Sequence, residues 1–214
     1  MNPDDSTRTL SESDLAPDPI TQFRAWFSAA EAFRDGDGIA LVEPHAMALA
    51  TVDSAGDPHV RMVLLREVRS SGIVFFTNLE SDKGVQLTAH PRVSLCFHWD
   101  RMHRQVRIRG SAEPISATDS DAYFASRPRE SRIAAASSPQ SRTIPDRATL
   151  EARFEELRAR YEGVEEIPRP PHWGGVLVRP SLVEFWQGRP HRMHDRIRFV
   201  RGHAGEWRTE RLAP

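Results

Sequence analysis

The chain has 214 residues with 29 basic and 30 acidic side chains, a formal net charge of -1, so no global field draws it to nucleic acid or to an anionic membrane. A single cysteine excludes an internal disulfide, and no apolar run approaches the ~20 residues of a membrane-spanning helix. Every basic residue but one is arginine, and the exception is Lys83.

Residues 1–17 are polar, rich in Ser, Thr, Asp and Pro, and without sustained period, which predicts a mobile arm ahead of a single domain over 18–214. The opening Met1-Asn2-Pro3-Asp4-Asp5 has neither the basic nor the apolar part of a signal peptide, so a cytoplasmic protein is expected. Asp18 as N-cap and Pro19 at the first helical position open an amphipathic helix to about residue 34. In it Ile20, Phe23, Trp26, Phe27 and Ala30 recur at helical spacing as core residues. Strand patterns follow at 46–52 and 59–68, around the hairpin loop Asp53-Ser54-Ala55-Gly56-Asp57, and then at 72–78, 92–99 and 104–115. In the last, Val106 and Ile108 alternate with Arg107 and Arg109, and Cys96 is assigned to the core of the strand before it.

A short helix over 81–90, with Ser81 as N-cap, interrupts the strands, and helices at 116–126, 129–137 and 146–161 succeed them. The last carries Leu150, Phe154, Leu157 and Tyr161 on one stripe. After the extended connector Ile167-Pro168-Arg169-Pro170-Pro171, strands are predicted at 174–178, 182–187, 196–200 and 207–212. The fold class expected is α+β, mainly β: an antiparallel barrel with flanking helices.

Neither a Gly-rich dinucleotide fingerprint nor a P-loop occurs, and the elements do not alternate as a parallel nucleotide-binding sheet requires. His191-Arg192-Met193-His194 is the nearest thing to a metal pattern, but the arginines around it make a poor cation site, so no metal is expected. More informative are guanidinium, ammonium and hydroxyl groups at segment ends. Arg61 and Arg66 bracket one strand, and Thr77, Ser81 and Lys83 gather at a strand-to-helix turn, where backbone amides favour an anion. Ser126 to Ser131 and Gln140-Ser141-Arg142 add two more clusters. Each alone reads as solvated surface; four in a near-neutral chain suit two bound phosphates. Trp186, beside the dense run Arg192, His194, Asp195 and Arg196, is placed either in the core or against a planar aromatic ligand. The residues by themselves stop at a protein that binds a phosphorylated aromatic compound.

Over about residues 14–214 the chain resembles the pyridoxamine 5'-phosphate oxidase family. The likeness is carried by Arg61-Met62-Val63-Leu64-Leu65, Phe75-Phe76-Thr77-Asn78, Arg104-Gln105-Val106, Tyr123 to Arg129, Gln140-Ser141, Trp173-Gly174-Gly175, Glu184 to Gly188, His194-Asp195-Arg196 and Glu210-Arg211-Leu212-Ala213-Pro214. The resemblance implies an FMN-binding split barrel, a homodimer with each site built from both subunits, and oxidation of pyridoxamine or pyridoxine 5'-phosphate to pyridoxal 5'-phosphate. In that reaction hydride passes from substrate C4' to flavin N5, and O2 reoxidises the flavin with release of H2O2. FMN contacts are implied at Arg61, Met62, Val63, Leu64, Leu65, Arg66, Phe76, Thr77, Asp82, Lys83, Gln105, Gln140, Ser141, Trp186 and Arg196. The substrate phosphate falls to Arg66, Tyr123, Arg127 and Ser131, and the reacting ring to Arg192 and His194, the implied catalytic pair. Glu43 stands where the family has an acidic residue near the substrate.

Two positions depart from the pattern. Arg66 replaces a lysine shared by the two phosphates, and Asp82 replaces an arginine that helps bind FMN, which should weaken flavin binding unless the carboxylate turns outward. Two alternatives remain open: a flavin oxidase of the phenazine-biosynthesis type acting on another aromatic substrate, and a non-catalytic flavin or pyridoxal-phosphate binding protein.

Overall fold

A computed structural model describes residues 9–214. Among the described residues nine strands form one antiparallel sheet, with neighbours in the order β2 (Pro58–Leu64), β1 (Ala46–Val52), β5 (Arg92–Trp99), β6 (Arg104–Pro114), β7 (Trp173–Gln187), β4 (Gly72–Asn78) and β3 (Glu67–Arg69). β8 (Asp195–Arg201) branches from β7, and β9 (Trp207–Arg211) pairs with β8. β7 lies at the branch of the split barrel. β6 pairs with it from Val176 to Gln187, β4 with its first half up to Val178, and β8 with its second from Leu182.

Two apolar rows meet inside. Val93, Leu95 and Phe97 of β5 face Met47 and Leu49 of β1, Val106 and Ile108 of β6, Val183 and Phe185 of β7, and Ile197 and Phe199 of β8. Helix α1 (Pro19–Ala32) is N-capped by Asp18, whose carboxylate accepts from the amides of Ile20 and Thr21. The helix joins this core with Phe23 against Phe97 at 5.0 Å and Trp26 edge-on to Phe185 at 5.2 Å. Helices α3 (Ala117–Ser126), α4 (Arg129–Ser137) and α5 (Arg147–Arg160) build a second, smaller cluster on Phe124, Ile133, Ile167 and Trp173. The α5 stripe reaches it with Phe154 and Leu157 only partly buried. Among the described residues no helix is long and apolar enough to cross a membrane.

Four expectations change. The strand expected over 59–68 breaks at Leu65–Arg66: the Leu65 amide still donates to His45, whereas the Arg66 amide has turned to Val74 of β4. The strands expected at 174–178 and 182–187 are one, because a register shift at Arg109/Gly110 lets β7 pass through Arg179-Pro180-Ser181 unbroken. Cys96 faces the outside of the barrel and is half-buried, since Val93, Leu95 and Phe97 hold the inward positions of that strand. The arm predicted over 1–17 lies outside the described residues as far as residue 8, but Leu10 is buried and its amide donates to Asp195 Oδ2. Arg211 then clasps Glu12 through two hydrogen bonds of 2.8 and 2.9 Å and holds its carboxyl at a pKa of about 2.

Candidate active site

The turn from β4 into α2 (Asp82–Ala89) forms one wall of a cleft of about 330 Å³. Ser81 caps the helix, its hydroxyl accepting from the Gly84 amide and donating to the Asn78 carbonyl at 2.6 Å. A Cβ at Gly84 would stand 2.1 Å from the Leu79 carbonyl oxygen, so glycine alone lets α2 pack onto this turn. Lys83 is thereby carried to the cleft, where its ammonium donates to Gln140 Oε1 at 2.7 Å and Ser81 Oγ at 3.2 Å. Burial, with Arg61 nearby, pushes the Lys83 pKa below the usual lysine value.

The opposite wall is aromatic and cationic. The Phe76 ring stacks on Tyr123 at 3.9 Å and on Trp173 at 5.1 Å. Arg127 lies over Trp173, 4.9 Å from the ring centre. Burial and the neighbouring Arg66 lower the Arg127 pKa, and its buried Nη1 has no hydrogen-bond partner. A buried, unpartnered guanidinium N–H beside a second guanidinium is costly, and an anion in the cleft would relieve both charges. Close packing holds this wall: a Cβ at Gly175 would lie 2.3 Å from Ile115 Cδ1 and 2.8 Å from Phe76 Cε1. The Gly175 amide donates to Ser120 Oγ of α3 at 3.2 Å.

Of the residues expected at the site, Met62, Val63, Leu64, Arg66, Phe76, Thr77, Lys83, Tyr123, Arg127 and Gln140 line this cleft. Leu65 does not, being buried in the barrel core. Arg61 turns away, donating to the Leu49 carbonyl (3.2 Å), Thr51 Oγ1 (2.5 Å) and Gln86 Oε1 (3.0 Å). Asp82 is exposed on the first turn of α2, close enough to act electrostatically on Arg61 and Lys83. Ser131, Ser141 and Glu43 lie outside the lining, and Glu43 stands 3.6 Å from His45 Nδ1.

The remaining expected residues form a second group. Gln105, Trp186 and Arg196 occupy one row in register across β6, β7 and β8. The His194 ring lies 4.6 Å from that of Trp186, and its Nδ1 accepts from the Arg189 amide at 3.0 Å, so a neutral ring carries its proton on Nε2. Arg192 is exposed on a turn in which His191 and Arg192 both adopt left-handed backbone, φ 57° and 61°. Trp173 begins β7 and lines the cleft while Trp186 stands near its other end, so the two groups sit apart within one chain.

Sequence reasoning assigned no role to Asn78, Ala134, Ala135, Ser138 and Trp173, which also line the cleft. The run Trp173-Gly174-Gly175 was the available signal for the last: two small residues beside a large ring mark close packing at one spot.

The comparisons agree with this geometry. Residues 38–161 match the pyridoxamine 5'-phosphate oxidase family, and residues 173–214 match the pyridoxine 5'-phosphate oxidase C-terminal dimerisation region. A pyridoxine/pyridoxamine 5'-phosphate oxidase of Cupriavidus necator is 50% identical over 206 residues, covering 96% of this chain and 93% of the relative. One from Hyphomonas neptunium is 52% identical over 196 residues, covering 92% and 87%. Among solved structures, PhzG from Burkholderia lata in complex with tetrahydrophenazine-1-carboxylic acid superposes with a TM-score of 0.88 at 31% identity, over 98% of this chain and 100% of that one. A pyridoxamine 5'-phosphate oxidase-related FMN-binding protein of Nostoc punctiforme shares the fold, with a TM-score of 0.71 at 19% identity over 94% and 100% of the two chains. With cleft, fold and both halves of the sequence in agreement, this chain belongs to the pyridoxamine 5'-phosphate oxidase family.

Proposed function

We propose that the protein is an FMN-dependent oxidase that converts pyridoxamine or pyridoxine 5'-phosphate to pyridoxal 5'-phosphate, with O2 as acceptor and H2O2 as the second product. The observation that carries this reading is Arg127, whose buried Nη1 has no partner beside Arg66 and Tyr123, while Lys83 stands separately at the start of α2. Two cationic positions on one ring-lined cleft suit two phosphates, one on the flavin and one on the substrate.

In this reading Lys83, Thr77 and Gln140 hold the flavin phosphate, and Met62 to Leu64 flank its ring system. Arg66, Tyr123 and Arg127 take the substrate phosphate. Gln105, Trp186, Arg192, His194 and Arg196 come from a second copy of the chain, which the match of 173–214 to a dimerisation region supports. The bound flavin supplies the hydride-accepting chemistry. His194, its Nδ1 held by the Arg189 amide, would turn Nε2 to the pyridine, and the Arg192 guanidinium would hold the reacting ring in place for hydride transfer. The protein acts in the cytoplasm.

Anaerobic addition of pyridoxamine 5'-phosphate to the yellow protein should bleach the flavin, and readmitted O2 should restore it with peroxide. Arg192→Leu should suppress bleaching far more than FMN binding; equal loss of both would remove Arg192 from the catalytic role. The likeness to the tetrahydrophenazine-1-carboxylic acid complex favours a second reading, an aromatic substrate without phosphate. Bleaching by that acid but not by pyridoxamine 5'-phosphate would establish it, and bleaching by neither would leave a flavin-binding protein without this activity.

A further inference from the structure

Arg127 stands in the cleft without the partner that usually holds a half-buried guanidinium. Among the described residues its head makes no ion pair and no hydrogen bond, and its Nη1 is buried and orphaned. Burial disfavours its charge and Arg66 repels it. Left to themselves, both effects would turn this long, flexible side chain out toward water. What opposes them is aromatic. The Arg127 Cζ lies 4.9 Å from the centre of the Trp173 ring and 5.7 Å from that of Phe124. A ring face attracts a cation within about 6 Å, and indole does so most strongly.

The indole is itself fixed. Trp173 is 6% exposed and opens β7 opposite Asn78 of β4. Its amide donates to the Pro170 carbonyl at 3.0 Å, and its carbonyl accepts from Arg169 Nη1 at 2.5 Å. Arg169 also donates through Nε to Asp121 of α3 at 2.6 Å. With the bond from the Gly175 amide to Ser120, this ties the start of β7 to α3, the helix whose C-cap is Arg127. Phe124 meets the indole edge-on at 5.0 Å, and Phe76 lies within 12° of parallel to it. Indole and guanidinium are therefore held on two elements joined beside them.

We propose that Trp173 is a positioning residue for the substrate phosphate, whose indole face keeps the Arg127 fork in the cleft with its N–H groups free. The proposal rests on the assignment of Arg127 to that phosphate. A carboxylate in the same place would also hold the guanidinium, but it would occupy the N–H groups and cancel the charge that the phosphate meets. An aromatic face attracts the cation and takes up none of the fork's in-plane donors.

A double-mutant cycle on steady-state oxidation of pyridoxamine 5'-phosphate by the flavin-loaded protein tests the assignment. Trp173→Leu should raise KM about five- to ten-fold and change kcat by less than about two-fold, the signature of lost substrate binding. Trp173→Phe, which keeps a ring face, should raise KM only about two- to three-fold and carries the test if the leucine variant fails to fold. In the Arg127→Ala background neither substitution should add a further rise, because no guanidinium remains to be held. A KM rise that persists without Arg127, or a fall in kcat as large as the rise in KM, would mark general damage to the cleft and overturn the proposal. An unchanged KM in Trp173→Leu, with Arg127→Ala raising it, would overturn the proposal alone. An unchanged KM in Arg127→Ala would remove the phosphate assignment and the proposal together.

Discussion

Glu184, only 5% exposed, accepts two hydrogen bonds from the guanidinium of Arg196, at 3.1 Å from Nε and 3.0 Å from Nη2. Its other oxygen faces Arg107 at 3.6 Å. One buried carboxylate thus fixes the plane of Arg196 beside Trp186 and separates two guanidinium groups on the outer face of the sheet. Glu184→Ala removes that partner from two part-exposed cations and should cost about 1–2 kcal/mol in urea unfolding. Glu184→Gln keeps an acceptor and should cost less. FMN affinity should fall in the same order.

Arg127 should act on the phosphorylated substrate and not on the flavin. Its fork and orphaned Nη1 predict that Arg127→Ala raises KM for pyridoxamine 5'-phosphate about 10- to 100-fold while FMN affinity, followed by fluorescence, stays within about two-fold. Arg127→Lys should recover little, because an ammonium cannot reproduce two parallel donors.

Lys83 should make flavin binding sensitive to alkali. Its pKa lies below the usual 10.5, so in the free protein the ammonium is lost earlier than in an exposed lysine. A bound phosphate favours the ammonium and raises that pKa. FMN affinity should therefore be full below the lowered value and fall as pH rises through it. Fluorescence titrations across that range should show the fall in the wild type and a flat, weaker profile in Lys83→Gln.

Asp82 sets an exposed anion beside Arg61 and Lys83. Asp82→Arg should tighten FMN about three- to ten-fold at low ionic strength, with the gain shrinking in salt because the charge is exposed. No change at low salt would show that its field does not reach the phosphate.

Gly175→Ala should damage the cleft from behind. The added methyl meets Ile115 and Phe76 at 2.3 and 2.8 Å, so the Phe76 ring must move off Tyr123. Overpacking of this kind costs about 1–3 kcal/mol. Thermal unfolding should report the loss, with weaker flavin binding beside it.

Much of the fold was legible because its signals are local. Asp18 and Ser81 cap the helices they were expected to cap, and Ser116 and Asp146, read as the first residues of their helices, cap those two, each side chain accepting from a backbone amide in the first turn. Strands 46–52 and 92–99 were readable residue by residue, since burial alternates with the pleat, and 72–78, buried on both faces, stands out as a continuous apolar run. That same alternation, read strictly through Val93, Leu95 and Phe97, already places Cys96 outside.

By itself, then, the sequence determined most of the elements, the family and which residue types gather at the cleft. Only the tertiary structure decided how those residues are divided. Arg66 reaches the cleft because its amide pairs with Val74 and not with β1, and Arg61 leaves it because Thr51 and Gln86 take its guanidinium. Gln105, Trp186 and Arg196 are neighbours only through the pairing of three strands. Such contacts join residues far apart in the chain, and no local period or cap encodes them.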